Sequence, residues 1–258
     1  MNSTCLSPST LVPRSPERNL YDLLDGRFFR EMRSFLTPII GYASLLQAEP
    51  QYAVNDGEMH QIADTLAASG GRLLSLIQSI EQWDALEKIA EGTSPAPAVA
   101  ITLCGSAVLQ AQLKSIARRF DRGDDLHLRV GPVCCRSIGD RWLGIVTEHL
   151  VVNAFKFTRP GTKIYVANSQ DHDRYVFSVT DEGPGMTAEQ ISQIAAFRQF
   201  DRSKYEQQGL GLGLRMAQVF AHCSGGTLVV SPAEYGSGTH VTLTLPGVPA
   251  ADLLTVDR

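Results

Sequence analysis

The chain has 258 residues, enough for one large domain or two modest ones, and its 43% hydrophobic and 19% charged residues are the balance of an ordinary globular protein. Its 23 basic and 27 acidic side chains leave a net charge of −4, which argues against a nucleic-acid partner but leaves room for one local phosphate site. No apolar run approaches the length of about 18 residues that marks a membrane span, so no membrane association is expected either.

Residues 1–19, rich in Ser, Thr, Pro and Arg and without the apolar core of a signal peptide, read as an unstructured tail, with an organelle transit peptide as the alternative. From Leu20 to Gln47 an apolar stripe (Leu23, Leu24, Phe28, Met32, Phe35, Leu36, Ile39, Ile40, Leu46) predicts a helix, with Pro38 as a bend or weak point. Ala48–Gly57, holding Pro50 and Asn55-Asp56-Gly57, reads as a loop. A second long helix follows with Ile62, Leu66, Leu73, Ile77, Ile80, Trp83, Leu86 and Ile89, and stops near Glu91-Gly92 before the Pro/Ala stretch Ser94–Ala98. Two helices with one apolar stripe each need a partner surface. A homodimeric four-helix bundle supplies it, and an intramolecular pair packed on the downstream domain is the alternative.

Beyond residue 101 helices and strands alternate. Helices are predicted over Ser106–Phe120, Asp140–Phe157, Ala188–Phe197 and Leu212–Cys223, and strands over Leu126–Val130, Thr162–Ser169, Arg174–Asp181, Gly226–Ser231 and Gly238–Leu245. The fold class is α+β: a helical hairpin over 20–92, a linker over 93–101, an α/β sandwich over 102–246 with helices on one face of a mixed sheet, and a tail over 247–258. Cys5, Cys104, Cys134, Cys135 and Cys223 show no metal-ligand spacing and read as reduced thiols, so a cytoplasmic setting is expected.

Three clusters carry chemistry. On the helix around residue 150, His149, Asn153 and Lys156 share one face while Leu150, Val151 and Ala154 turn inward. An Asn oxygen is a hard ligand suited to Mg²⁺, and a Lys one turn on can meet phosphate, although the same face alone is as readily a solvated one. Asp181-Glu182-Gly183-Pro184-Gly185 ends an apolar strand. A carboxylate there can accept from the exocyclic amine of adenine, and Gly183 and Gly185 let the backbone approach the ring, whereas such a turn alone is usually only a turn. Gly209-Leu210-Gly211-Leu212-Gly213-Leu214 opens an amphipathic helix whose N–H groups can cradle phosphates, but it has neither a Walker lysine nor a βαβ context.

In this order and at these separations the clusters resemble the N box and the two glycine boxes of histidine kinases in the GHKL ATPase superfamily. Phe197-Arg198-Gln199-Phe200 is similar to the F box between them, and Gly225-Gly226 and Gly236-Ser237-Gly238-Thr239 to the closing pattern. The resemblance covers about Thr102–Pro246 and implies an ATP-binding sandwich with ATP and Mg²⁺ as ligands. Asn153 would bind Mg²⁺, Asp181 would meet adenine, Lys156 would lie near phosphate, and Gly209, Gly211 and Gly213 would lie under a short lid, Asp201–Gln208. His149 departs from the family, where many members carry a second Asn; imidazole is a poor Mg²⁺ ligand but can position water.

The first domain resembles the dimerisation and phosphotransfer helices of the same kinases. The family pattern H-E-L-R-T-P-L-x-x-I-I-G-Y matches Arg30-Glu31-Met32-Arg33-Ser34-Phe35-Leu36-Thr37-Pro38-Ile39-Ile40-Gly41-Tyr42 without a gap, and Gly71–Ile77 is similar to the partner helix. Arg30 therefore stands at the phosphoacceptor position. A guanidinium stays protonated and offers no lone pair to phosphorus, and His60, the one His of this segment, lies outside the motif. Autophosphorylation is expected to be lost. Glu31 stands where the family keeps an acidic general base, and Glu31-x-x-Ser34 approximates a pattern linked to response-regulator dephosphorylation, with a water held by Ser34 as nucleophile. The resemblance thus implies a dimeric ATP-binding signalling protein that docks a response regulator or partner kinase. Two alternatives stay open: a kinase acting on another protein, and a scaffold with a vestigial site.

Overall fold

The computed structural model describes residues 26–48, 56–95, 97–104, 107–171, 173–187, 190–191, 211–234 and 237–248. The chain divides into two compact units, Met1–Leu73 and Leu74–Arg258. Helix α1 spans Gly26–Ala48 and helix α2 spans Asp56–Ala90, so the division falls within α2. α1 continues through Pro38. The ring removes the amide that would bond the Ser34 carbonyl, while the Thr37 hydroxyl donates to the Arg33 carbonyl at 2.7 Å and the Ser34 hydroxyl to the Glu31 carbonyl at 2.8 Å.

Along α2 the inward positions are Ile62, Leu66, Ser69, Leu73, Leu76, Ile80 and Trp83, alternately four and three apart, the spacing of a coiled-coil seam. Ile77, expected on the stripe, is 41% exposed and Leu76 takes its place, because a repeat of seven holds its seam to 3.5 residues per turn. Outside the buried positions, Phe29, Ile40, Leu45 and Leu46 of α1 and Met59, Leu74 and Ile77 of α2 remain exposed. No helix among the described residues is long and apolar enough to cross a membrane.

The C-terminal unit continues with β1 (Ala100–Cys104), α3 (Ala107–Arg119), a 3-10 turn (Gly123–Asp125), β2 (Leu126–Arg129), β3 (Val133–Ser137) and α4 (Asp140–Phe157). Then come β4 (Ile164–Asp171), β5 (Arg174–Asp181), α5 (Gly213–Cys223), β6 (Thr227–Pro232) and β7 (Thr239–Pro246). Five strands form a mixed sheet in the order β2-β4-β5-β7-β6, with β2 parallel to β4 and the other pairs antiparallel. β1 and β3 pair as a separate antiparallel ribbon. Neither is predicted from sequence: each is five residues long beside a Pro- or Gly-containing stretch, too short to show alternation. Of the predicted helix Ala188–Phe197 only 190–191 fall among the described residues, and both are helical.

Alternation sets the layers. On β5, Tyr175, Phe177 and Val179 are buried while Val176, Ser178 and Thr180 lie on the more open face. Val241, Leu243 and Leu245 of β7 and Ile164 and Val166 of β4 join the buried face. Over it lie Leu109, Leu113 and Ile116 of α3, Leu143, Val146, Leu150 and Val151 of α4, and Met216 and Phe220 of α5. Leu113 is fully buried in this layer. Leu113→Ala is expected to cost about 2–5 kcal/mol, the range for a cavity-forming core truncation, read as a lower urea midpoint at unchanged slope.

Candidate functional site

The site is built where β5 ends. Asp181 is the last residue of that strand and is 6% exposed. Its Oδ1 accepts from the Gly183 amide at 2.9 Å and the Thr239 amide at 3.3 Å, which ties the turn after β5 to the start of β7. Among the described residues no hydrogen bond reaches Oδ2. Burial pushes the carboxyl above its ordinary range, and the two amides pull the other way without cancelling it.

The glycines around Asp181 are set by close approach. A Cβ on Gly183 would lie 2.8 Å from Asp181 Oδ1 and 2.9 Å from the Phe157 carbonyl oxygen. Gly185, at φ +74°, would press a Cβ to 2.9 Å from the Gly238 carbonyl oxygen, and a Cβ on Gly238 would collide with the Asp181 carbonyl. Gly183 and Gly185 are thus packed between the end of α4 and the entry to β7.

α4 supplies the second wall. Its buried face is Leu143, Val146, Thr147, Leu150, Val151, Ala154 and Phe155, which leaves Asn153 half-buried and Lys156 exposed. A Cβ on Gly213 would lie 3.1 Å from Asn153 Nδ2 and 3.4 Å from His149 Cβ, so the start of α5 rests directly on these two side chains. Leu212 provides no side-chain cap for that helix start, and Gly211 precedes it at φ +74°. His149 is turned elsewhere: its Nε2 lies 3.4 Å from Gln82 Oε1. Burial lowers its pKa, Glu148 opposes and Lys156 assists, so the ring is neutral near pH 7.

This donor set fits a magnesium-bound nucleotide. Asn153 carries a hard oxygen beside an uncapped helix start, and a carboxylate faces the glycine turn at the opposite side of the α4 terminus. Gly209, the lid Asp201–Gln208 and Phe197–Phe200 lie outside the described residues. Glu31 and Ser34, in the other unit, are buried and exposed respectively.

Residues 139–249 match the family model described as histidine kinase-, DNA gyrase B-, and HSP90-like ATPase. Over these residues the chain has the α/β sandwich of the histidine-kinase ATP-binding type. The chain is 26% identical over 223 residues to the histidine protein kinase DivJ of Caulobacter vibrioides, covering 84% of this chain and 36% of that protein. It is 27% identical to the mycobacterial sensor histidine kinase MprB, with a TM-score of 0.50 over 58% of this chain and 99% of the solved one. The Acinetobacter baumannii histidine kinase AdeS shares the fold at 21% identity, with a TM-score of 0.56 over 83% of this chain and 98% of the solved one. The chain spans about a third of the length of DivJ.

One residue that organises the α/β sandwich is invisible to motif reading. Arg122, just past α3, has a side chain only 4% exposed. Its Nη1 donates to the Phe155 carbonyl at 3.0 Å, the Thr158 carbonyl at 3.1 Å and the Thr158 hydroxyl at 2.9 Å, all at the C-terminal end of α4. Nη2 donates to the Thr162 carbonyl and hydroxyl, Nε donates to Asp125 Oδ2 at 2.6 Å, and the guanidinium lies 5.1 Å from the Phe155 ring centroid. The Arg122 hydrogen bond is the main reason the Asp125 carboxyl titrates below its usual range. In sequence, Asp121-Arg122-Gly123-Asp124 reads as a charged surface turn. Its only signal is a cation at the end of one helix ahead of another. Arg122→Met is expected to cost about 3 kcal/mol or more, the scale of a broken buried pair, in urea unfolding. A depressed carboxylate stabilises the fold above its ordinary pKa and loses that contribution as pH falls through the depressed value, so the variant should also lose part of the wild-type acid dependence.

Proposed function

We propose that the chain is an ATP-binding signalling module of two-component type that works as a homodimer, docks a response regulator or partner kinase, and does not phosphorylate itself. The observation that carries the nucleotide part is the meeting of Asn153 with Gly213 on one side of the α4 terminus and of Asp181 with Gly183 on the other. Asp181 Oδ2 would take the adenine amine, Asn153 would hold Mg²⁺ and Lys156 would reach phosphate.

The loss of self-phosphorylation rests on Arg30, which is exposed on α1 and carries no nucleophilic lone pair. Glu31 and Ser34 support regulator dephosphorylation only if a partner reaches them. Glu31 is buried within its unit, and the Ser34 hydroxyl proton is spent on its own helix while its oxygen can still accept from water. Homodimerisation is supported by the apolar residues α1 and α2 leave exposed, Ile40 at 60% among them.

Incubation with γ-labelled ATP and Mg²⁺, with ATP affinity measured alongside, tests the whole reading. Bound nucleotide with no label on this chain is expected; label on this chain would overturn the argument from Arg30, and absent binding would leave only a scaffold. Asp181→Asn separates binding from folding. Asn keeps an acceptor for the Gly183 and Thr239 amides but turns a donor toward the adenine amine. ATP affinity should fall at least about tenfold, the scale of one hydrogen bond to a charged group. Stability should hold or rise at pH 7. A raised carboxyl pKa gives stability that is complete below the ordinary value and lost as pH rises through the raised one, so Asn removes a cost. In the wild type, ATP affinity should weaken as pH falls through the raised pKa. Ile40→Asp should halve the mass seen in light scattering and leave ATP affinity unchanged.

A further inference from the structure

The β1–β3 ribbon holds a group of side chains that the nucleotide site does not use. Cys104 of β1 and Cys135 of β3 are both buried, and their sulfurs lie 3.0 Å apart as free thiols. The register sets Cys104 opposite Val133 and Cys135 opposite Thr102, so the two are diagonal neighbours on one face of the ribbon, where strand twist brings side chains together. A disulfide of about 2.05 Å needs the sulfurs to close by roughly 1 Å, within reach of side-chain rotation. Among the described residues no set of three or more His, Cys, Asp or Glu side chains is arranged to hold a metal, so a metal does not account for the pair.

We propose that Cys104 and Cys135 form a reversible disulfide, which makes the ribbon a site of oxidation by peroxides. The Cys104 thiol points at the Thr102 carbonyl, 3.5 Å away, and its hydrogen bond with Cys135, followed by burial, keeps the Cys135 thiol protonated well above its ordinary range. Either sulfur can attack and the other resolve, and the atoms balance the same way with Cys104 as the attacker. The Cys104 thiolate attacks one peroxide oxygen and the O–O bond breaks, leaving Cys104 sulfenic acid and a hydroxide that takes up the thiol proton as water. The Cys135 sulfur then attacks the sulfenic sulfur. The S–S bond forms, the S–O bond breaks, and the departing hydroxide leaves as a second water with the Cys135 proton. Two thiols lose two electrons and one peroxide becomes two waters. The oxidant gains access through local opening of the ribbon, which needs less than global unfolding. The bond would fasten β1, which directly follows the stretch after α2, to the strand leading into α4.

The test uses the full reduced chain, exposed to hydrogen peroxide, then unfolded and alkylated, with free thiols counted by intact mass and the link located by a non-reducing peptide map. Two of the five thiols should become unreactive, joined as Cys104–Cys135 within one chain, and dithiothreitol should restore all five. The melting temperature should rise with the bond and return on reduction. Cys134→Ser should cross-link as the wild type does, and Cys104→Ser should not. Five reactive thiols after oxidation would overturn the proposal, as would a link through Cys5, Cys134 or Cys223 or one between two chains. The map of wild type and Cys134→Ser decides the matter even if Cys104→Ser folds poorly.

Discussion

The fork that Arg122 makes around the end of α4 is the interaction on which the α/β sandwich turns. A helix ends with carbonyls that have no partner inside it, and here a buried guanidinium takes two of them together with the Thr158 and Thr162 hydroxyls. Those carbonyls belong to the helix that carries Asn153 and Lys156. The Phe157 carbonyl, within the span Arg122 grips, is also the surface against which Gly183 closes. One side chain thereby fixes how the helix that carries Asn153 stands relative to the turn that carries Asp181. Arg suits the task and Lys would not, since several oxygens in fixed directions need a planar fork rather than a point charge.

Asp181 shows the complementary economy. Its carboxylate is held in a buried place, at a cost visible in its raised pKa; on the proposed reading that place is where adenine would be met. Two backbone amides recover part of that cost and at the same time join β5, the glycine turn and β7. Gly183, Gly185 and Gly238 are there because backbone passes within contact distance of backbone, which no side chain would allow.

Much of this was legible in the residues. The limits of α4 and β5 followed from apolar periodicity, since long, regular segments carry the strongest pattern. β1 and β3 were not legible, because a five-residue strand held in place by tertiary pairing leaves no period to read. On α2 the sequence suggested Ile77 where the packed seam uses Leu76; adjacent apolar residues make both registers plausible until the burial is known. Arg122 was hidden for a different reason. Half of its partners are main-chain carbonyls, and carbonyls have no letter in a sequence. The approach of Gly213 to Asn153, sixty residues apart in the chain, followed only from resemblance and not from any local rule.

On the proposed reading, an ATP site beside an acceptor position filled by Arg30 changes what nucleotide can accomplish. Without phosphoryl transfer to its own helix, ATP acts only as a ligand. A ligand shifts an equilibrium by no more than the difference in its affinity for the two states. The element that distinguishes those states must therefore touch nucleotide in one and release it in the other. With nucleotide held at Asn153, the uncapped start of α5 would be that element: its first residue rests on Asn153 and His149, and His149 in turn faces Gln82 of α2. A movement of the α5 start on filling the site would be felt at a side chain already engaged with the long helix, and by reciprocity a change in that helix would be felt as a change in ATP affinity.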